Sequence, residues 1–165
     1  MNKPSSTLFL ICGKIAAGKS TLAKELSSKD TTILISEDEW LAKLYPEEIL
    51  NIRDYQTYSS RLRAVMRPHI ETLLYQGMSV VLDYPANTLK MRTWMRQIFE
   101  TAGAHHELHF LDVEDDVCLK RLEERNNAGT HEFQASREEF QLITSYFSAP
   151  GEDEGFTVIT HKVSE

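Results

Sequence analysis

The feature that most constrains the fold is a glycine-rich stretch at residues 13–20, GKIAAGKS. It matches the phosphate-binding pattern G-x-x-x-x-G-K-[ST] at every fixed position. An apolar, strand-like run (residues 7–12) precedes it, and a helix-like run (residues 21–26) follows it. In that position a glycine-rich turn directs successive backbone N–H groups at a phosphate, and the helix N-terminus adds partial positive charge. The stretch therefore predicts a binding site for a nucleoside triphosphate.

The residues of this loop have separable expected roles. Lys19 is expected to reach the β- and γ-phosphates, and the Ser20 hydroxyl is expected to bind Mg²⁺. Nothing in the sequence favours a guanine base, so ATP with Mg²⁺ is the expected cofactor pair. The predicted nucleotide-binding set is Gly13, Lys14, Ala16, Ala17, Gly18, Lys19, Ser20 and Thr21.

Length and composition limit the class of protein. The 165 residues suffice for one domain with its own core, which we expect over residues 1–165. The net charge of −7 argues against broad electrostatic binding to nucleic acid, which needs a basic face. No apolar run approaches the roughly 20 residues of a membrane span, and with residues 1–6 leading straight into the first strand we expect no signal peptide. Two cysteines are too few for a disulfide framework, and together these features predict a cytoplasmic protein. The oligomeric state is left open between monomer and dimer.

Apolar runs alternate with segments long enough for helices, which is typical of an α/β fold with a parallel sheet covered on both faces. The predicted strands are residues 7–12, 31–35, 79–83, 107–113 and 156–160. The predicted helices are residues 20–28, 38–44, 55–76, 88–102, 114–125 and 136–147. Pro68 is expected to kink or split the third helix. Residues 126–136 break the helical pattern and are a candidate lid.

Ligands of open α/β sheets bind at the carboxyl ends of the strands, so the residues that follow each strand are the candidates. Asp38 follows the second strand and is either a general base for a hydroxyl acceptor or a helix cap. Its neighbours Glu37 and Glu39 are competing candidates for the base, but they are expected to face solvent. Asp83 ends the third strand and is either a ligand of Mg²⁺ or its water shell, or a turn former before Pro85.

Several arginines are candidates for binding anionic groups. Arg121 and Arg125 are four residues apart on one helix face, where they would stabilise transition-state charge or form an ordinary solvated surface. Arg61 and Arg92, together with Asn87, are candidate contacts for an anionic or sugar-like acceptor, although such residues are often an ordinary helix exterior. The six histidines show no metal-ligand spacing.

With these residues identified, the chain resembles small P-loop kinase-like ATP-binding proteins. The broad group contains phage polynucleotide kinase, zeta toxins, chloramphenicol phosphotransferase and gluconate kinase. More closely, the chain resembles a bacterial family described as AAA family ATPases or ATP-binding proteins. The resemblance covers nearly the whole chain and includes residues 35–40, 80–83, 85–88, 118–126 and 153–156.

The resemblance has implications beyond the residue patterns. It implies a three-layer P-loop NTPase fold with the strand order 2-3-1-4-5. It also implies that Asp38 is the general base and that Arg121 and Arg125 contact ATP. One departure concerns the acceptor, because polynucleotide kinase has a basic residue soon after its Asp, where this chain has Glu39 and Trp40.

The expected function is transfer of the γ-phosphoryl group of ATP to a hydroxyl of a small molecule. A 5′-hydroxyl polynucleotide kinase is one alternative, and it requires salt-sensitive oligonucleotide binding. A nucleotide-dependent switch without an acceptor is the other alternative.

Overall fold

Five parallel strands form the sheet of the computed structural model, which describes residues 5–129 and 134–163. They are β1 (Thr7–Cys12), β2 (Thr32–Ser36), β3 (Ser79–Pro85), β4 (His105–Val113) and β5 (Val158–Val163). Their order is β2-β3-β1-β4-β5. This confirms the three-layer α/β P-loop fold, with the order that the resemblance implies.

Helices cover both faces of this sheet. Within the described residues they are α1 (Lys19–Leu26), α2 (Glu37–Leu44), α3 (Ile52–Tyr75), α4 (Leu89–Ala102), α5 (Asp115–Ala128) and α6 (Arg137–Ser145). A short 3₁₀ helix, Glu152–Glu154, precedes β5 and was not predicted. None of the helices in the described part of the chain is long and apolar enough to span a membrane.

The central strand contributes to two hydrophobic cores, one on each face of the sheet. Leu8 and Leu10 pack with residues of α3 and α4, whereas Phe9 and Ile11 pack with residues of α1, α5 and α6. The two sets alternate because successive side chains of a strand point to opposite faces. All four residues are at most 5% exposed. This double burial explains why β1 is a continuous apolar run.

The third helix differs from its prediction at Pro68. It runs without interruption from Ile52 to Tyr75, so the expected split does not occur. Pro68 removes the hydrogen bond to the carbonyl of Ala64, four residues earlier. Both residues lie on the exposed face, where water can satisfy that carbonyl. The helix starts earlier than predicted because the Asn51 side chain caps it by accepting from the Asp54 N–H at 2.9 Å.

The candidate lid begins later than predicted. Helix α5 continues to Ala128 and ends at Gly129, whose φ of +64° closes the helix in the left-handed region. Residues 130–133 of the predicted lid lie outside the described residues. The Asn126 side chain donates to the Ala135 carbonyl at 2.7 Å, so the two ends of the segment are close together.

Arg92 is fully buried and joins three segments, which corrects its predicted contact with an acceptor. Its guanidinium donates to both carboxylate oxygens of Glu154, at 2.7 and 3.2 Å. It also donates to the carbonyls of Ala86 and Ser148, at 2.9 and 2.7 Å. The side chain therefore ties α4 to the end of β3 and to the chain that leads into β5.

We predict that Arg92→Met lowers the free energy of unfolding by about 3–5 kcal/mol, because it leaves a partly buried carboxylate and two carbonyls without their donor. Urea denaturation would measure the change. Lys90→Met is the matched control, since Lys90 is exposed on the same helix and its replacement should cost no more than about 0.5 kcal/mol. Equal unfolding free energies for the two variants would show that the Arg92 contacts do not stabilise the fold.

Candidate functional site

The loop between β1 and α1 has the backbone shape that its glycines predict. Gly18 has a φ of +106°, a region that L side chains rarely adopt. A Cβ at Gly13 would lie 3.2 Å from the Leu111 Cβ and 3.3 Å from the Ala17 Cβ. The turn is closed by a hydrogen bond from the Ala17 N–H to the Lys14 carbonyl at 3.1 Å. The loop is therefore closely packed at Gly13 and closed by a backbone hydrogen bond just before α1.

Lys19 lies against this loop. Its ammonium donates to the carbonyls of Gly13 at 2.7 Å and Lys14 at 2.8 Å. Burial lowers the pKa of the Lys19 amine, while the carboxylates of Asp83 and Asp38 oppose that shift. The Lys19 side chain therefore lies at the centre of the site, near the loop carbonyls and the carboxylates of Asp83 and Asp38.

Asn87, predicted to contact an acceptor, holds the first glycine of the loop. Its side-chain oxygen accepts from the Gly13 N–H at 2.9 Å, and its side-chain nitrogen donates to the Gly13 carbonyl at 2.7 Å. The two bonds use both ends of one amide group, so they fix the orientation of the Gly13 backbone. Asn87 also lines the cavity described below.

Ser20 and Asp83 meet at the start of α1. The Ser20 hydroxyl donates to Asp83 Oδ2 at 3.0 Å. Asp83 lies at an irregularity in the strand pairing, since Leu10 pairs with Leu82 whereas Ile11 pairs with Pro85. A hydroxyl and a carboxylate oxygen are donors that suit Mg²⁺. No cluster of three or more His, Cys, Asp or Glu residues that could hold a metal occurs in residues 5–129 or 134–163, so Mg²⁺ would also need oxygens from water and phosphate.

The two arginines of α5 lie at the same cavity. Arg121 and Arg125 both line it, and an Arg121 nitrogen lies 3.5 Å from the Ala17 carbonyl. Lys14 was also predicted to bind the nucleotide, but it is not among the residues that line the cavity. Its ammonium pairs with Asp115 at 2.5 Å and lies over the Phe147 ring. The side chain of Lys14 thus faces α5, and its carbonyl contacts Lys19.

Asp38 lies in the first turn of α2, but it is not the cap. The Ser36 side chain caps α2 by accepting from the Glu39 N–H at 3.4 Å. The Asp38 carboxylate instead lines the cavity and accepts from the Tyr55 hydroxyl at 2.8 Å. Glu39 is exposed, as expected, and pairs with Lys43. The geometry therefore excludes the cap as the role of Asp38 and leaves its carboxylate facing the cavity.

Glu37, which was expected to face solvent, is 1% exposed and lies behind Asp38. Its Oε1 accepts from the hydroxyls of Tyr55 at 2.9 Å and Ser59 at 2.8 Å. Burial raises the pKa of Glu37, while the bonds from Ser59 and Tyr55 and the charge of Arg63 oppose that shift. The Glu37 carboxyl is therefore held in a buried network next to Asp38.

Tyr55 links the two acidic side chains. Burial raises its pKa, and the negative charges of Glu37 and Asp38 raise it further, so the hydroxyl keeps its proton. The single hydroxyl hydrogen of Tyr55 has Asp38 as one of its acceptors, which restricts the rotation of that carboxylate. Arg63 extends this chain of contacts by donating to Ser59.

A cavity of about 1070 Å³ contains most of the predicted site. Arg61 is not among its lining residues, and its guanidinium lies over the exposed side of the Tyr58 ring, 5.3 Å from the centroid. The predicted residues that do line the cavity are Ala16, Gly18, Lys19, Ser20, Thr21, Asp38, Asp83, Asn87, Arg121 and Arg125. Gly13, Lys14 and Ala17 belong to the loop but are not among the lining residues, and Arg61 and Arg92 lie outside both the loop and the cavity lining.

The sequence reasoning missed the network behind Asp38. Tyr55, Ser59 and Arg63 are spaced four residues apart and therefore lie on one face of α3. That four-residue spacing of polar side chains could have indicated a polar contact on one face of α3. Nothing in the sequence indicated that Glu37 is the partner of this face.

A family model described as an AAA domain, AAA_33, matches residues 8–150. The chain belongs to this family. It is a small P-loop kinase-like protein, as the sequence predicts. No curated protein sequence matches this AAA domain significantly.

Three solved structures share the fold of this AAA domain. A protein of Chloroflexus aurantiacus J-10-fl, provisionally described as a kinase, has a TM-score of 0.78 at 17% identity, over 98% of this chain and 87% of its own. Chaetomium thermophilum Kti12, solved with ADP-AlF3, has a TM-score of 0.70 at 14% identity, over 93% of this chain and 88% of its own. Mycobacterium tuberculosis APS kinase CysC, solved with AMPPNP and APS, has a TM-score of 0.62 at 19% identity, over 98% and 91%. At these identities the likeness concerns the fold.

We predict that Asn87→Ala weakens the binding of Mg²⁺–AMPPNP about tenfold, because two hydrogen bonds that orient Gly13 are lost. Isothermal titration calorimetry would measure the affinity. Asn127→Ala is the control, since Asn127 is exposed near the end of α5 and its replacement should leave the affinity unchanged. If both variants bind equally well, the Asn87 amide does not organise the loop.

Proposed function

We propose that this protein is an ATP-dependent phosphotransferase whose acceptor is a hydroxyl group of a small molecule. The observation that carries the proposal is the position of Asp38. Tyr55 holds this carboxylate at the cavity that is also lined by Lys19 and Ser20. A carboxylate beside a phosphate-binding loop suits the removal of a proton from an attacking hydroxyl.

Each of the lining residues has a separate role in the proposed reaction. The loop N–H groups and Lys19 bind the β- and γ-phosphates, and Asp38 accepts the proton of the acceptor hydroxyl as its oxygen attacks the γ-phosphorus. The bond between that phosphorus and the β–γ bridging oxygen breaks, which leaves ADP. Arg121 and Arg125 stabilise the charge that develops on the transferred group.

Ser20 and Asp83 would hold Mg²⁺, which neutralises phosphate charge when it is bound. Asp83 acts as an oxygen donor next to Ser20. Arg61 and Arg92 have no role in this reaction. Asn87 supports the loop and borders the acceptor.

The proposed role of Asp38, which lies at the same cavity as the phosphate-binding loop, gives the main kinetic prediction. We predict that Asp38→Asn lowers the transfer of label from γ-labelled ATP into hydroxyl acceptors by about 10²–10⁴-fold, because the variant cannot take the proton. The affinity for Mg²⁺–AMPPNP should remain that of the wild type. Both quantities can be measured on one preparation, with nucleosides, short oligonucleotides, sugars and aminoglycosides as acceptors.

Two control variants show whether a loss of transfer in Asp38→Asn is specific to Asp38. Glu39→Gln changes the next acidic residue of α2, which is exposed, and should keep full activity. Lys19→Ala should abolish nucleotide binding, which separates a loss of ATP from a loss of the base. If Asp38→Asn transfers phosphate at the wild-type rate, Asp38 is not the base.

The same assay separates the alternatives. Label that appears only as inorganic phosphate, at the same rate in Asp38→Asn, would support a nucleotide-dependent switch. Label that appears mainly in oligonucleotides, with a strong dependence on salt, would support a polynucleotide kinase.

A further inference from the structure

The cavity has two sides, which the strand order defines. The phosphate-binding loop follows the central strand β1. Arg121 and Arg125 belong to α5, which follows β4 on one side of β1. Asp38 follows β2 on the other side, together with the residues that connect α2 to α3. If the arginines contact the nucleotide, the β2–β3 side is left for the acceptor.

Among the described residues that line the acceptor side, Asp38 and Asp83 are negatively charged, and Lys19 of the phosphate-binding loop lies beside them. Lys19 donates to the carbonyls of Gly13 and Lys14 and is the residue proposed to bind the phosphates. Four cations of the neighbouring helices contact other groups. Arg61 lies over Tyr58, Arg63 contacts Ser59, Arg92 contacts Glu154, and Lys43 pairs with Glu39.

Apolar side chains form much of the remaining wall. Ile49, Leu50 and Ile52 come from the α2–α3 connection and the start of α3, and Met91 comes from α4. Ile49 and Met91 pack on the core, whereas Leu50 is 81% exposed at the mouth. An exposed leucine beside other apolar lining residues suits an apolar ligand surface.

We infer that the acceptor is a neutral or cationic hydroxyl compound with an apolar body, and not an anion. This inference rests on the proposed function and narrows its substrate class. An anionic group on the acceptor would lie near the Asp38 carboxylate, and the lining cation of that region, Lys19, is assigned to the phosphates. An apolar body would cover Leu50 and Met91, and its hydroxyl would approach Asp38.

The test uses acceptors that share a primary hydroxyl and differ in one charged group. One series is 2-phenylethanol, its 4-aminomethyl derivative and its 4-carboxylate derivative. A second pair is thymidine and thymidine 3′-monophosphate. We expect kcat/KM for the neutral and cationic members to exceed that of the anionic members about tenfold or more, because like charges disfavour the anion.

The possible failures are distinguishable. Preferred phosphorylation of the anionic members would overturn the inference and leave the proposed phosphotransferase standing. Release of inorganic phosphate alone with every member of both series would overturn the proposed function, and the inference with it.

A pair of variants tests whether Leu50 borders the bound acceptor. Leu50→Lys places a cation at the mouth and should reduce the discrimination against the anionic members about tenfold, compared with the wild type. Leu44→Lys is the matched control, because Leu44 is also exposed but does not line this cavity. Equal discrimination in the two variants would show that Leu50 does not border the acceptor.

Discussion

The contact on which the site depends most is the pair of hydrogen bonds between the Asn87 amide and the backbone of Gly13. It joins the chain that follows β3 to the loop that follows β1. Because Asp83 lies on the same strand end, this contact also keeps that carboxylate beside Ser20. The loop, the proposed magnesium ligands and one edge of the acceptor side therefore form one assembly.

The same arrangement separates the charges of the site. Positive charge lies on the loop and on α5, where the phosphates are expected, and negative charge lies towards α2. The buried network of Glu37 and Tyr55 supports Asp38 from behind, so the fold itself holds the proposed base. With Arg92 bound to Glu154 inside the protein, the charges that line the acceptor side are those of Asp38 and Asp83, beside Lys19 of the loop.

Much of the fold was predictable because its signals are local. The loop pattern, the doubly buried strands and the glycine at the end of α4 each act within a few residues, and the structure contains all of them. The candidate site was predictable where a residue lies near the carboxyl end of a strand, as Asp38 and Asp83 do. The burial of Arg92 was not predictable, because it depends on Glu154, which is 62 residues away in sequence. The network behind Asp38 likewise joins α2 to α3 over 18 residues or more.

The central claim is that the γ-phosphoryl group of ATP passes to a hydroxyl and not to water. The most direct measurement is a ³¹P NMR time course of the wild-type protein with Mg²⁺, ATP and a mixture of neutral hydroxyl compounds. The account predicts that a phosphomonoester signal grows as the γ-phosphate signal of ATP disappears. A spectrum in which inorganic phosphate is the sole new product besides ADP would contradict it.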